Sequence, residues 1–434
     1  MRLQRLDADA VQRLGGAAGA AAHVRGGVPD GASVRDAVAA ILAAVRERGD
    51  EALLGYTREL DSPAASSERL LASVQELDDA LTSLPRELVA GLQVAIANVA
   101  LVAEAGVAAD AAVDLPQGQR VTLREVPVSS AAVYVPGGRA PYPSTVVMGV
   151  VTARAAGVVD VAVCSPPRPD GELDAAILGA CRLCGVERVY RIGGAQAIAA
   201  LAYGTATVAP VDVIVGPGNL YVQEAKQQVS SLVGIDGFAG PSDLLVLLDG
   251  SAGAREIELA VLDMLAQAEH GDGSAVVAAA PGAVCDALAA ALQAGVTEHP
   301  TVGEATFAVV EVAAPREAIA FANAFAPEHL QLIGGDLERL AHTVTAAGCV
   351  FVGAASATAF GDYVAGSNHV LPTAGAARFA STLSPRHFRR RMAEVRIGEA
   401  AGRLAAAGGP IARAEGFEVH ARSMEARIGE NPSR

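Results

Sequence analysis

The sequence predicts an α/β fold: two Rossmann-like parallel-sheet domains, with an N-terminal helical arm and a helical C-terminal tail. Three observations carry that expectation. From Ser130 onward, short apolar runs alternate with helical patterns at intervals of about thirty residues, the signature of right-handed crossovers between parallel strands. Several of these runs end in glycine turns, as the carboxyl ends of such strands do where ligands bind. Hydrophobic residues make up 51% of the chain, yet there is no Trp and aromatics are only 4%. A core built from Ala, Val and Leu suits helices lying closely on parallel strands. At 434 residues the chain is too long for one ordinary core.

Taken in order, residues 1–30 read as a polar arm closed by the loop Gly26-Gly27-Val28-Pro29-Asp30-Gly31. From Ser33 a helical stripe of Val38, Ile41, Leu42 and Val45 runs to Gly49, and Asp50 is placed to cap the next helix, Glu51 to Leu60. Two more helical patterns break near Pro85 and end around Gly106. Val121 and Leu123 then alternate with Thr122 and Arg124, marking a strand that leads to Pro127. The first α/β series has strands at Ala131–Val135, Val159–Cys164, Val189–Ile192 and Val211–Val215. The second has them at Leu244–Leu248, Ala275–Ala280, Thr306–Val312, Leu330–Ile333 and Cys349–Val352. From Ser384 the chain turns basic and helical (Arg386, Arg389, Arg390, Arg391) with little core of its own, so it must pack on something else. The expected division is 1–30 as arm, 31–128 with 240–383 as one α/β domain, 129–239 as a cofactor domain, and 384–434 as tail.

The formal charge of −15 argues against nucleic acid and against an anionic membrane surface. The longest apolar stretch, Val146 to Cys164, carries Arg154 and Asp160, so no membrane span is expected. The start of the chain lacks an apolar signal-peptide core, and five cysteines in this length do not form a disulfide framework. A cytoplasmic location is the expectation.

Candidate chemistry concentrates at a few places. Gln267 and His270 are three apart at the end of an amphipathic helix with Val261, Leu262 and Leu265 on its apolar face and Gly271 at its stop. An amide oxygen and an imidazole converging there suit zinc, although the same spacing describes a solvated helix edge. Glu328 and His329 follow Pro327 where a helix gives way to a strand. Only at such a turn can sequential neighbours aim into one cleft, and an imidazole near pKa 6.5 suits general-base work. An ordinary exposed helix end fits the same three residues. Gly361 to Pro372, with Asp362 and His369, reads as a polar glycine-rich loop lining a site. Glu415 and His420 are five apart in the tail and do not share a helical face. The glycine turns after Tyr134, Ile192 and Val215 fit dinucleotide binding or plain strand-to-helix turns; none is G-x-G-x-x-G. Cys181-Arg182-Leu183-Cys184 lies in an apolar helical run and reads as buried small residues.

Seven motifs in order make the chain resemble the histidinol dehydrogenase family from roughly Val38 to His420. They are Tyr134 through Thr145, Ile192 through Ala197, Gly216-Pro217-Gly218-Asn219, Gly240-Pro241-Ser242, Leu265 through His270, Ala326-Pro327-Glu328-His329, and Gly361-Asp362-Tyr363 through Asn368-His369-Val370-Leu371-Pro372. The resemblance implies four-electron oxidation of L-histidinol to L-histidine, the last steps of histidine biosynthesis, through the aldehyde with two NAD at a zinc site. It assigns the metal to Gln267, His270, Asp362 and His420, and the acid–base work to Glu328 and His329. Substrate contacts fall to Ser242, His369 and Glu415 together with the metal residues and His329, and the NAD site to Tyr134, Gln196 and Asn219. It also implies a homodimer whose tail crosses to the partner, so that His420 completes the other subunit's site. Two departures bear on substrate fit: Asp243 stands where Glu follows Gly-Pro-Ser, and Gly271-Asp272-Gly273 replaces Asp-Pro after His270. One aspartate, two imidazoles and one amide leave zinc a net positive charge and open positions for a neutral imidazole and amine, while nitrogen ligands disfavour magnesium. Oxidation of another primary alcohol to its acid by a histidinol-dehydrogenase-like enzyme is the alternative; a thiol-dependent aldehyde dehydrogenase is not expected, since no cysteine stands in a turn.

Overall fold

The structure is a computed structural model that describes residues 2–26, 34–137, 140–237, 242–271, 274–302 and 305–428. Residues 27–33 of the predicted loop and helix start, Gly138 and Arg139, Gly240 and Pro241, and Asp272 with Gly273 lie outside the described residues. The chain forms two compact units, residues 1–106 with 129–388, and residues 107–128 with 389–434.

The first unit holds two parallel sheets. One has the order β1 (Arg2–Leu6), β11 (Thr306–Glu311), β10 (Ala275–Ala280), β9 (Asp243–Leu248), β12 (His329–Ile333), β13 (Cys349–Val352). The other runs β6 (Arg188–Arg191), β5 (Asp160–Ser165), β4 (Ser130–Tyr134), β7 (Val213–Val215), β8 (Gly234–Ile235). In each, the chain order reverses direction once, between β9 and β12 and between β4 and β7. Their strands are apolar on both faces because helices cover both.

Four expectations change. Residues 2–25 are not a free arm: β1 pairs with β11 at the sheet edge, and the helix Ala17–Arg25 packs on the helix Pro315–Phe325. The helices between 35 and 105 cover the five-stranded sheet, not the six-stranded one. Val38, Ile41, Leu42, Val45 and Leu53 share a core with Ala132, Ile192, Leu201 and Ile214, and the helices Val74–Ser83 and Arg86–Ala105 lie on Ala175–Leu183 and Pro143–Ala155. An apolar stripe tells a helix to bury a face without saying against which sheet. Asp50 begins its helix, with Gly49 at the cap. Leu262 is 51% exposed while Val261 and Leu265 are buried, so the apolar stripe is narrower than expected. The helix Arg86–Ala105 is long and apolar enough to cross a membrane by length and composition; here Leu92, Ala95, Val99 and Ala103 form its buried stripe.

In the second unit β14 (Arg389–Arg396), β3 (Arg120–Pro127) and β2 (Ala111–Asp114) form an antiparallel sheet. The arginine run expected to be helical is therefore mostly strand. Its charges are met across the ladder: Arg391 pairs with Glu125, and Glu394 lies 3.8 Å from Arg124. Two helices, Ala401–Ala414 and Glu418–Glu425, follow and are joined by Arg413, which pairs with both Glu418 and Glu425. Their buried residues are small, Ala405, Gly409, Ala412 and Ala421, which accords with a segment of little core.

Candidate active site

Most of the expected site residues meet at the amino ends of β9 and β12, the adjacent strands where the six-stranded sheet reverses order. Ser242 immediately precedes β9, Glu328 immediately precedes β12, and His329 opens β12. These two strand starts are clamped to each other. Asp243 N–H donates to Glu328 Oε2 at 2.9 Å, Glu328 N–H donates to Asp243 Oδ1 at 2.7 Å, and the Ser242 hydroxyl donates to Glu328 Oε2. Gln267 Nε2 donates to Ser242 Oγ at 2.7 Å from the last turn of the helix Ala254–Ala268. With its nitrogen so engaged, Gln267 presents its oxygen as the group left for a ligand. His270 lies in the turn just beyond, its N–H bonded to Gln267 O at 3.2 Å, and Gly271 at φ 88 ends the run.

His329 is buried between two carboxylates, Nε2 at 3.3 Å from Asp362 Oδ1 and Nδ1 at 3.8 Å from Glu328 Oε2, with the Phe351 ring stacked at 5.9 Å. Asp362 sits in a short helix, Thr358–Tyr363, and not in the open loop the glycines implied. His369 Nδ1 lies 2.8 Å from Asp362 O, and its Nε2 lies 3.2 Å from Thr145 Oγ1. A carbonyl can only accept, so Nδ1 carries the proton and Nε2 accepts from the Thr145 hydroxyl. Thr145 belongs to the helix Pro143–Ala155 that follows β4, so His369 ties the amino edge of one sheet to the carboxyl edge of the other.

The electrostatics follow from burial and neighbours. Burial raises the Glu328 carboxyl to about 7, against the lowering pull of His329. Burial works to lower His329, but the Glu328 and Asp362 carboxylates overcome it and raise the imidazole to about 9. Burial works to raise Asp362, but the hydrogen bond and charge of His329 hold it below the usual carboxylate range. His270 keeps much surface open, yet the atoms packed on its ring depress its pKa, and burial does the same to His369. Both therefore stay neutral, the form that ligates or accepts. Burial raises the thiols of all five cysteines, which are free, so none is an activated nucleophile.

The expected cofactor residues gather around the carboxyl ends of β4 and β7, where the five-stranded sheet reverses order. Tyr134 ends β4, and its hydroxyl accepts from Gly194 N–H at 3.1 Å. Gly216 (φ 116) runs so close to Tyr134 that a Cβ there would lie 2.1 Å from Tyr134 O. Asn219 caps the helix Leu220–Val229 through Val222 N–H. Gln196 is 0% exposed; its Nε2 donates to Asp61 Oδ2 at 3.1 Å, and its Oε1 has no partner. A glycine passage at a sheet's switch point with a buried, unpaired acceptor beside it fits a dinucleotide. Beneath this loop Lys226 Nζ donates to Gly216 O at 2.9 Å and pairs with buried Asp236, whose other oxygen takes Gly216 N–H at 2.7 Å.

The family model for histidinol dehydrogenase matches residues 27–428. The chain belongs to the histidinol dehydrogenase family. Histidinol dehydrogenase of Gluconobacter oxydans is 41% identical, covering 93% of this chain and 94% of its own. That of Synechococcus sp. is 43% identical, covering 91% and 92%. The crystal structure of histidinol dehydrogenase from Elizabethkingia anophelis superposes with a TM-score of 0.85 at 30% identity, covering 91% of this chain and 92% of that one. Membership makes the chain an oxidoreductase whose family chemistry is histidinol oxidation in histidine biosynthesis.

Two members of the set expected for a histidinol dehydrogenase belong to the second unit. Glu415 caps the helix Ala401–Ala414 and His420 lies in Glu418–Glu425, both exposed and both in the second unit, with the His420 ring tilted against Phe417 at 5.1 Å. Among the described residues no three His, Cys, Asp or Glu side chains form a metal-binding group. Gln267, His270 and Asp362 supply oxygen and nitrogen donors of the kind zinc takes, as an incomplete set. Sequence reading missed Arg25, Thr145, Asp61, Lys226 and Asp236. Thr145 stood inside a recognised motif; the others lie in stretches whose local pattern carries no chemical signal.

Proposed function

We propose that this chain carries out the four-electron oxidation of L-histidinol to L-histidine through L-histidinaldehyde, with two NAD and zinc, in the cytoplasm and as a homodimer. The observation that supports this best is the connected set Gln267–Ser242–Glu328–His329–Asp362–His369, whose hydrogen bonds and ion pairs span the two sheet edges. Gln267, His270 and Asp362 would hold zinc, with the partner subunit's His420 as the fourth ligand. Zinc, when bound, positions the amino alcohol and polarises its oxygen, and NAD accepts hydride.

In this reading His329 takes the hydroxyl proton at each oxidation. At about 9 the imidazole is protonated at neutral pH, because Asp362 and Glu328 both pull it up. With the Asp362 carboxylate engaged by a cation, part of that pull falls away and His329 moves back toward the range of a base. Glu328, rising to about 7, is poised to take a proton from the water that hydrates the aldehyde. His369, neutral and oriented by Asp362 O and Thr145, offers a fixed polar edge to the substrate, and Ser242 and the partner subunit's Glu415 complete the contacts. Tyr134, Gln196 and Asn219 line the NAD site, where the unpaired Gln196 Oε1 calls for a donor such as a ribose hydroxyl or an amide N–H.

The test is absorbance at the NADH band with histidinol as sole substrate. Two NADH per histidinol are expected. Turnover of a different primary alcohol, with histidinol inert, would favour the alternative substrate; no NADH from either would remove the enzyme reading.

A further inference from the structure

Arg25 closes the helix Ala17–Arg25, far from the catalytic dipeptide in sequence, yet its guanidinium reaches the three groups that set where that dipeptide lies. Nη1 donates to Asp243 Oδ2 at 2.6 Å, and Nη2 donates to Phe325 O at 2.5 Å and reaches Ala326 O at 3.4 Å. The guanidinium carbon stands 3.7 Å over the Phe325 ring. The Arg25 side chain is 19% exposed and that of Asp243 1%. A planar fork with several donors can make these contacts at once, where an ammonium cannot.

Each contact bears on Glu328. The helix Pro315–Phe325 ends with Ala326 at φ 52, ψ 65, a left-handed conformation that a residue with a Cβ adopts only at a cost. The last carbonyls of that helix lie next to this reversal, and Arg25 supplies them with a cation and donors. Two residues later comes Glu328. Its N–H is held by Asp243 Oδ1, the other oxygen of the carboxylate that Arg25 grips. We propose that Arg25 is a positioning residue: it fixes the left-handed helix end and the Asp243 carboxylate together, and so sets the place of Glu328 and His329. It touches neither reacting atoms nor the expected cofactor loop. The catalytic half of this inference rests on the roles proposed above for Glu328 and His329; the structural half does not.

The experiment compares the full chain with Arg25→Met and Arg25→Lys. Amide hydrogen exchange should rise at least ten-fold in the peptide covering residues 321–331 of Arg25→Met, with β10 and the five-stranded sheet unchanged. Turnover of histidinol and of histidinaldehyde should both fall at least ten-fold in kcat, with KM for NAD within two-fold of the unmodified chain. Arg25→Lys, which keeps the ion pair and loses the fork, should regain part of both. Exchange that rises evenly over the whole six-stranded sheet, or kcat that stays at the original level in Arg25→Met, overturns the proposal. If Arg25→Met does not fold, Arg25→Lys decides alone: unchanged exchange at 321–331 and unchanged kcat overturn it. Absence of histidinol turnover in the unmodified chain refutes the function proposed above, and the exchange measurement still decides whether Arg25 holds this segment.

Discussion

Replacing Glu328 by Gln separates the two halves of the proposed reaction. The substitution is mild for the fold, because Gln retains an oxygen to accept from Asp243 N–H and the Ser242 hydroxyl. It removes the carboxylate proposed to take a proton from water. A carboxyl titrating at about 7 is ionised in roughly one molecule in eleven at one unit below and ten in eleven at one unit above. The sign follows from the raised value: the base form is present above about 7 and is lost as pH falls through it. Oxidation of supplied histidinaldehyde should therefore rise about ten-fold between pH 6 and pH 8. Glu328→Gln should slow that half by about 10²–10⁴-fold and flatten this limb. Oxidation of histidinol to the aldehyde should change only a few-fold. Stopped-flow NADH formation from each starting compound, across that pH range, reads both. Equal losses in the two halves, or a limb near pH 7 that persists without the carboxylate, would refute the division of labour between Glu328 and His329.

Exhaustive chelation should abolish activity and zinc should restore it; metal-free protein with full turnover would remove the zinc assignment. Because burial depresses His270, zinc affinity should hold to a lower pH than an ordinary imidazole would allow, as competition binding against pH will show. Gly216→Ala should raise KM for NAD at least ten-fold, since a Cβ at φ 116 would press on Tyr134 O, and saturation kinetics measure it. Lys226→Met leaves Asp236 buried without its cation and should cost about 3–5 kcal/mol in urea unfolding.

The elements legible in the sequence are those whose pattern is local. Ala275–Ala280 and Cys349–Val352 are strands as bounded in advance, and Val38, Ile41, Leu42 and Val45 are the buried face of their helix. β1 was not legible. Arg2-Leu3-Gln4-Arg5-Leu6 is mostly polar, which an edge strand tolerates and a sequence pattern does not flag. β14 was hidden by its arginines; Arg391 pairs with Glu125 of β3, and Glu394 of β14 faces Arg124 of β3, a charge pattern visible only across strands. The site shows the same division. Glu328 and His329 announce themselves by standing at a turn, and the Gln267–His270 spacing is local. Arg25 and Asp243 are 218 residues apart, and nothing around Arg25 marks it as more than the end of a helix. The candidate catalytic group also lies at the amino ends of its strands, where the glycine-turn pattern that marks carboxyl ends gives no signal.

The edge pairing of β1 has a consequence for how the protein is made. Arg2 faces Thr306 across the ladder, so β1 has no partner until roughly 300 further residues have been synthesised. At typical translation rates of about 5–20 residues per second that wait is roughly 15–60 s. The five-stranded sheet, whose strands fall between Ser130 and Ile235, has all its partners much sooner. The helix carrying Arg25 can dock only when Phe325 arrives, so the segment leading into Glu328 and His329 is among the later features to be set.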